Sequence, residues 1–241
     1  MNAADNGYSI LSQIHTSRGM EYLGRKKLRS FTLNIFSMNK KELLDDLALF
    51  QNPQVGLTLM SEQYRDAGLQ VHRELNRRFH NYLAAAKTLI DHTRAFVDDH
   101  YKTTDVAADY RRRVAEVFSE NPICKFMQDI RNYTLHRELP ISTMSLNFTP
   151  EHGIRTGVFI VVEQLKEWGG WTALSRQFLN SQHGEINPGQ IVDTYSLIVE
   201  DFHSWLEDRL DTFHKADLLE LECLEREYAE ARNMRPSDSA A

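Results

Sequence analysis

Cysteine is nearly absent. Cys124 and Cys223 are the only two in 241 residues, too few for a disulfide framework or a thiolate zinc site, and neither has a partner at Cys-x-x-Cys spacing. No run of about 18 apolar residues occurs, and with 41% hydrophobic residues and a mean hydropathy of -0.49 no membrane span is expected. The opening MNAADNGYSILSQIH has no basic residue before Arg18 and no continuous apolar stretch. Neither a secretory signal nor an Arg-rich transit peptide is read there, so a cytoplasmic location is expected. Gly-rich phosphate loops of P-loop or Rossmann type are missing, as is a Gly-x-Ser-x-Gly elbow, which removes nucleotide-driven and α/β-hydrolase chemistry. Internal repeats and low-complexity stretches are missing too. What is present is an ordinary soluble composition with 26% charged residues, in a chain of a size that buries roughly three quarters of its unfolded surface.

The net charge of -6 works against general attraction to nucleic acid, but it is unevenly spread. Residues 1–41 carry seven basic groups against Asp5 and Glu21, whereas from Gly189 onward thirteen acidic residues face five basic ones. Two solvated helix faces of opposite sign, or a polyanion-facing side opposite an acidic side, both fit this distribution.

Hydrophobic periodicity gives the architecture. Leu75, Phe79, Tyr82, Ala86, Leu89, Thr93 and Phe96 alternate steps of four and three, which predicts a long amphipathic helix over about 61–100. Asn121-Pro122 supplies a cap and a first-turn proline, and the stripe Ile123, Phe126, Met127, Ile130, Tyr133 predicts a second helix over 122–136, ending before Pro140. Asn187-Pro188 opens a third, whose stripe from Ile191 to Tyr228 predicts more than 40 helical residues, followed by a fraying tail at 236–241. Between them, residues 142–148 alternate in period two, 149–153 have turn composition and 154–162 are β-branched, which predicts a β-hairpin at about 141–162. Trp168-Gly-Gly-Trp171 breaks the chain, and 172–179 reads as a short helix. In the first 60 residues, Tyr8–Met20 reads as helix, Ser30–Phe36 as a strand, and Asn39 with Glu42 as a capping box opening a helix to about Phe50. The expected fold is mainly α, a helical bundle with an inserted β-hairpin. Residues 1–60 form an N-terminal extension packed on the bundle, and 61–235 form the bundle itself.

One segment concentrates polar chemistry at the end of an otherwise apolar helix: Asp129-Ile-Arg131-Asn132-Tyr-Thr-Leu-His136. Asn132 and His136, four apart, share a face, and Arg131 reaches over with its long side chain. Six Arg–His pairs in the chain have comparable spacing, among them Arg94/His100, but only Arg131 is followed directly by asparagine. Arginine can hold a phosphate through a fork of hydrogen bonds, and histidine titrates near neutral pH and can move a proton. Alternatively, Arg131 pairs with an acidic neighbour, Asn132 caps the helix end and His136 is a surface residue.

Here the chain resembles the HEPN superfamily, small helical-bundle proteins whose hallmark is Arg, a polar residue that is often Asn, a short spacer and His. The resemblance covers the motif Arg131 to His136 and the order of long helix, motif helix and last helix, about half the chain. It implies metal-independent cleavage of RNA by 2′-hydroxyl attack, with Arg131, Asn132 and His136 as catalytic residues and no cofactor or metal. A homodimer would bring two motifs together, and the setting would be that of a toxin or defence effector with an antitoxin or regulatory protein as partner. Relatives without activity imply the alternative, a silent helical module that binds a protein or nucleotide partner.

Other constellations are thinner. Glu200 and His203 have the Glu-x-x-His spacing of a dimetal carboxylate bundle, but Asp211/His214 lies about 16 Å further along the same helix. His72, His80, His92 and His100 drift around their helix. Arg111-Arg112-Arg113 and Arg25-Lys26-Lys27 read either as solvated faces or as polyanion contacts. Trp168 and Trp171 read as packing anchors, or as platforms for base stacking.

Overall fold

A computed structural model describes residues 3–141, 143–149 and 153–233. The chain begins with α1 (Ala3–Thr16), α2 (Arg18–Gln51), α3 (Pro53–Met60) and a 3-10 turn at Glu62–Tyr64. It continues through α4 (Arg65–Tyr101), α5 (Asp105–Val114) with a π turn at Ala115–Ser119, and α6 (Pro122–His136). Then come β1 (Thr143–Thr149), β2 (Gly153–Val161), α7 (Val162–Lys166), α8 (Ala173–Ser181), β3 (Glu185–Ile186), α9 (Pro188–Phe213) and α10 (Lys215–Asn233). The fold is mainly α with an inserted β-hairpin, as the periodicities predict.

Three helices start with the same device. In each, an asparagine precedes a first-turn proline, which has no amide hydrogen to leave unpaired, and the asparagine Oδ1 accepts from the next free amides. Asn52 accepts from Gln54 N at 3.0 Å, Asn121 from Ile123 N at 3.0 Å, and Asn187 from Gly189 N at 2.9 Å. These starts open α3, α6 and α9.

Contacts divide the chain into two units, residues 1–31 with 204–241, and residues 32–203. The divisions fall inside α2 and α9. In the first unit Ile10 and Ile14 of α1 pack on Leu221 of α10. Gly19 of α2 lies so close to α10 that a methyl there would sit 2.5 Å from the Asp217 carbonyl. Tyr22 stacks on His214 at 4.2 Å between ring centres and donates its hydroxyl to Asp211. Lys26 bridges Asp211 at 2.9 Å and Glu207 at 2.7 Å, and Arg29 pairs with Glu207. Here the basic start of the chain and its acidic end neutralise one another, and that pairing accounts for part of the charge asymmetry.

In the second unit the core runs from Phe36, Leu43 and Phe50 of α2 through α4, α6 and the sheet to Val192 and Val199 of α9. The sheet has the order β1-β2-β3, all antiparallel, with Thr143 opposite Phe159 and Ile160 opposite Ile186. The buried side chain of Asn76 ties α4 to the strand entry: it donates to the Ile141 carbonyl at 2.9 Å and accepts from the Ile141 amide at 3.3 Å.

Four expectations are corrected. Ser30–Phe36 is helical, because Phe36, Leu43, Leu47 and Phe50 bury one 3.6-period face and that burial overrides local strand preference. Asn39 starts no helix: it lies inside α2 and donates its side-chain amide to Ile35 O at 2.8 Å. The helix expected at Tyr8–Met20 is two helices, parted at Ser17, whose hydroxyl accepts from Met20 N at 3.1 Å. The last helix is likewise two, parted at His214. α3, α5, α7 and β3 were not expected. The tail at 236–241 and the turn residues 150–152 lie outside the described residues. Among the described residues no helix is long and apolar enough to cross a membrane.

Gly56 of α3 is buried against β2, where a methyl would sit 2.4 Å from Thr156 Cβ. Thr156 cannot yield, because its hydroxyl donates to Phe50 O at 2.6 Å. Gly56→Ala gains about 1 kcal/mol of helix propensity but incurs overpacking of about 1–3 kcal/mol. A lower denaturant midpoint with unchanged slope is expected, and a stabilised variant would contradict the close approach.

Candidate functional site

The apolar face of α6 fixes which way its polar residues point. Phe126, Ile130 and Tyr133 are buried, and the rings of Phe126 and Tyr133 stack on Trp171 at 5.5 and 5.7 Å. Trp171 donates its indole N–H to Leu165 O at 2.6 Å and meets Trp168 edge-on at 4.8 Å, so this pair anchors packing. On the same side the buried carboxylate of Asp129 gathers three donors at one oxygen: Thr172 N at 2.9 Å, Thr172 Oγ1 at 2.7 Å and Ser175 Oγ at 2.6 Å. Thr172 caps α8, its Oγ1 accepting from Ser175 N, and Asp129 holds that cap residue in place from a neighbouring helix.

Arg131 and Asn132 fall on a different face, where α6 and α4 enclose a cleft of about 310 Å³ floored by the buried Tyr195 of α9. The α4 wall brings Lys87 and Arg94, separated by the apolar Ile90, with Leu83 and Ala86 deeper. Asp91 bonds both Lys87 and Arg94, and the Lys87 hydrogen bond, reinforced by that of Arg94, holds its carboxyl below the usual range. Three cations to one carboxylate leave the cleft positive in a chain of net charge -6. Two other hollows, of about 370 and 610 Å³, have no cation in their walls.

Arg131 is half-buried and makes no ion pair among the described residues. The other half-buried arginines of its unit do: Arg78 with Asp46 at 2.6 Å and Arg113 with Glu116 at 3.6 Å. His136 is exposed, is the last residue of α6 and does not line the cleft. At about 100° per residue it is turned roughly 140° from Arg131 and only about 40° from Asn132. Arg131 and Asn132 thus both line the cleft, while His136 shares the face of Asn132 one turn beyond the cleft lining and points away from Arg131.

The remaining candidates are accounted for by local contacts. Arg111, Arg112 and Arg113 pair with Asp98, Asp109 and Glu116. Glu200 of the Glu-x-x-His pair accepts from Lys40 at 3.1 Å, and His100 packs edge-on against Phe96. Among the described residues no three His, Cys, Asp or Glu side chains are gathered closely enough to hold a metal ion. Burial pushes the Cys124 thiol up to about 12, which disqualifies it as a nucleophile.

No family model, curated protein or solved structure matches this chain.

The motif pointed to Arg131 and Asn132, but sequence reasoning missed Lys87 as their neighbour and weighed Arg94 only as a rival. The available signal was the run Lys87, Asp91, Arg94, a charged i, i+4, i+7 line beside the apolar positions Leu83 and Ile90.

Asp129→Ala leaves a backbone amide and two hydroxyls at the α8 start without their acceptor. A loss of about 3 kcal/mol in unfolding free energy is expected, with Asp129→Asn recovering part of it. Equal stability of Asp129→Ala and wild type would mean that Thr172 holds the α8 start without Asp129.

Proposed function

We propose that the chain is a metal-independent ribonuclease of HEPN type, acting as a toxin or defence effector. The observation that supports this reading is Arg131: a half-buried guanidinium with no carboxylate partner among the described residues, beside Asn132 in a positive cleft. A phosphate would supply the missing anion, and the planar fork suits one whose charge grows in the transition state.

The chemistry follows from the motif. The 2′-hydroxyl oxygen attacks the adjacent phosphorus, the O2′–P bond forms and the P–O5′ bond breaks. The hydroxyl proton passes to an imidazole, and a proton is delivered to the leaving 5′ oxygen. Because His136 is turned away from Arg131 within one chain, a homodimer supplies the second imidazole across a two-fold axis. Leu135 and Leu139, 46% and 52% exposed on either side of His136, offer apolar surface for a second copy to cover. That same separation of His136 from the cleft favours a second reading, a silent helical module that binds an anionic partner without cleaving it.

Light scattering should give about twice 28.0 kDa. The protein should cleave single-stranded RNA in excess EDTA, leaving 2′,3′-cyclic or 3′-phosphate ends, and should spare DNA, which lacks the nucleophile. His136→Ala should lower the rate about 100-fold or more without changing helicity or mass, and Arg131→Lys should be damaging because a point charge cannot reproduce the fork. Binding without cleavage would select the silent module, and cleavage unchanged by His136→Ala would exclude His136 as the proton carrier.

A further inference from the structure

The motif accounts for only one wall of the cleft between α4 and α6. We infer that the other wall, Lys87 and Arg94 with Ile90 between them, is a second subsite that takes the neighbouring nucleotide of a single-stranded RNA, its phosphate on the two cations and its base against the apolar floor. This rests on the ribonuclease reading for the identity of the polymer, but not on its chemistry.

Three observations carry it. First, the cations lie on separate helices, Lys87 and Arg94 on α4 and Arg131 on α6, and line one cleft. A chain with a phosphate at every residue can reach both walls, whereas a lone small anion would engage one. Second, Lys87 and Arg94 are tied to a common carboxylate. Asp91 neutralises one of the two charges and fixes both side chains, with 38% and 59% of their surface exposed at the cleft rim. A pre-positioned cation pair loses less conformational freedom on meeting a phosphate than two free side chains do. Third, the cleft lining beside the cations is largely apolar: the half-buried Ile90 on the α4 wall, with the buried Leu83, Ala86, Met127 and the Tyr195 floor beneath it. An unpaired base with both faces free can lie against such a surface. In a duplex the bases are stacked inside the helix and only their edges reach the grooves, so a base cannot enter.

The test uses the full-length protein and a single-stranded oligonucleotide with every 2′-hydroxyl methylated, which cannot undergo 2′-hydroxyl attack. Binding is followed by fluorescence anisotropy over a series of salt concentrations. Wild type should bind this strand at least tenfold more tightly than a duplex of the same length. The double variant Lys87→Ala/Arg94→Ala should bind about tenfold more weakly. It should also show a salt slope shallower by about 0.7, the loss of one phosphate contact on a single strand. Ile90→Ser should weaken binding with the slope unchanged, because it removes apolar contact and no charge, and the milder Ile90→Ala repeats the measurement if the serine variant melts early.

Equal affinity for strand and duplex would overturn the base subsite, and an unchanged affinity and slope in the double variant would overturn the phosphate subsite. The two proposals fail separately. Strand binding with these dependences but no cleavage of RNA leaves the subsite standing and removes the ribonuclease. His136-dependent cleavage and strand binding that both ignore Lys87 and Arg94 leave the ribonuclease standing and remove the subsite.

Discussion

A carboxylate taken out of water and ringed by three donors sets the orientation of α6, and the candidate site depends on that orientation. Asp129 receives the amide of the cap residue Thr172 and two hydroxyls at the α8 start on a single oxygen, and a rotation of α6 by even one residue position would strand a charge in the core. Such a group is costly to bury and costlier to leave unmatched, so it locks the helix about its own axis more sharply than the apolar contacts around it. The aromatic pairs of Phe126 and Tyr133 with Trp171 hold the same rotation from the same side. With that face fixed inward, Arg131 and Asn132 can only emerge toward α4.

Much of the second unit was legible because its strongest signals are local. The Asn-Pro starts of α6 and α9 are chemistry confined to a few residues, and the stripe of α4 from Leu75 to Phe96 runs through about six helical turns with little interruption. The hairpin was legible for the same reason, since alternation and β-branched residues report directly on a two-faced strand. The errors lie where distant burial decides. Ser30–Phe36 has strand-like composition, and only the packing of Phe36 with core residues of other helices makes it helical. The divisions at Ser17 and His214 interrupt no hydrophobic stripe, so periodicity runs through both. Ser17 acts through its hydroxyl, and His214 through a stacked ring on Tyr22 and an Asp217 contact at 2.8 Å.

The site was legible by half. Asparagine after arginine separates Arg131 from five other pairs of similar spacing. That Arg131 would stand without a counter-ion among the described residues could not be read, because it depends on which acidic residues α4 and α9 present to it. Lys87 and Arg94 were hidden by their pairing with Asp91, a pattern that on most helices signifies an exposed ion pair of little energetic weight. The separation of His136 from Arg131, by contrast, follows from five residues of helix alone.

The side chain of Asn76 has a bearing on how the second unit assembles. Its amide mimics a strand edge, giving and receiving a hydrogen bond with the backbone of Ile141 across 65 residues of sequence. Helices α4, α5 and α6 can form from local contacts, but this bond closes a loop that contains most of all three, and closure of that kind comes after the segments it joins. The hairpin that follows takes its starting point from α4. The segment just beyond His136 is therefore pinned by a contact far away in sequence, and the surroundings of the end of the motif helix depend on α4 as much as on α6 itself.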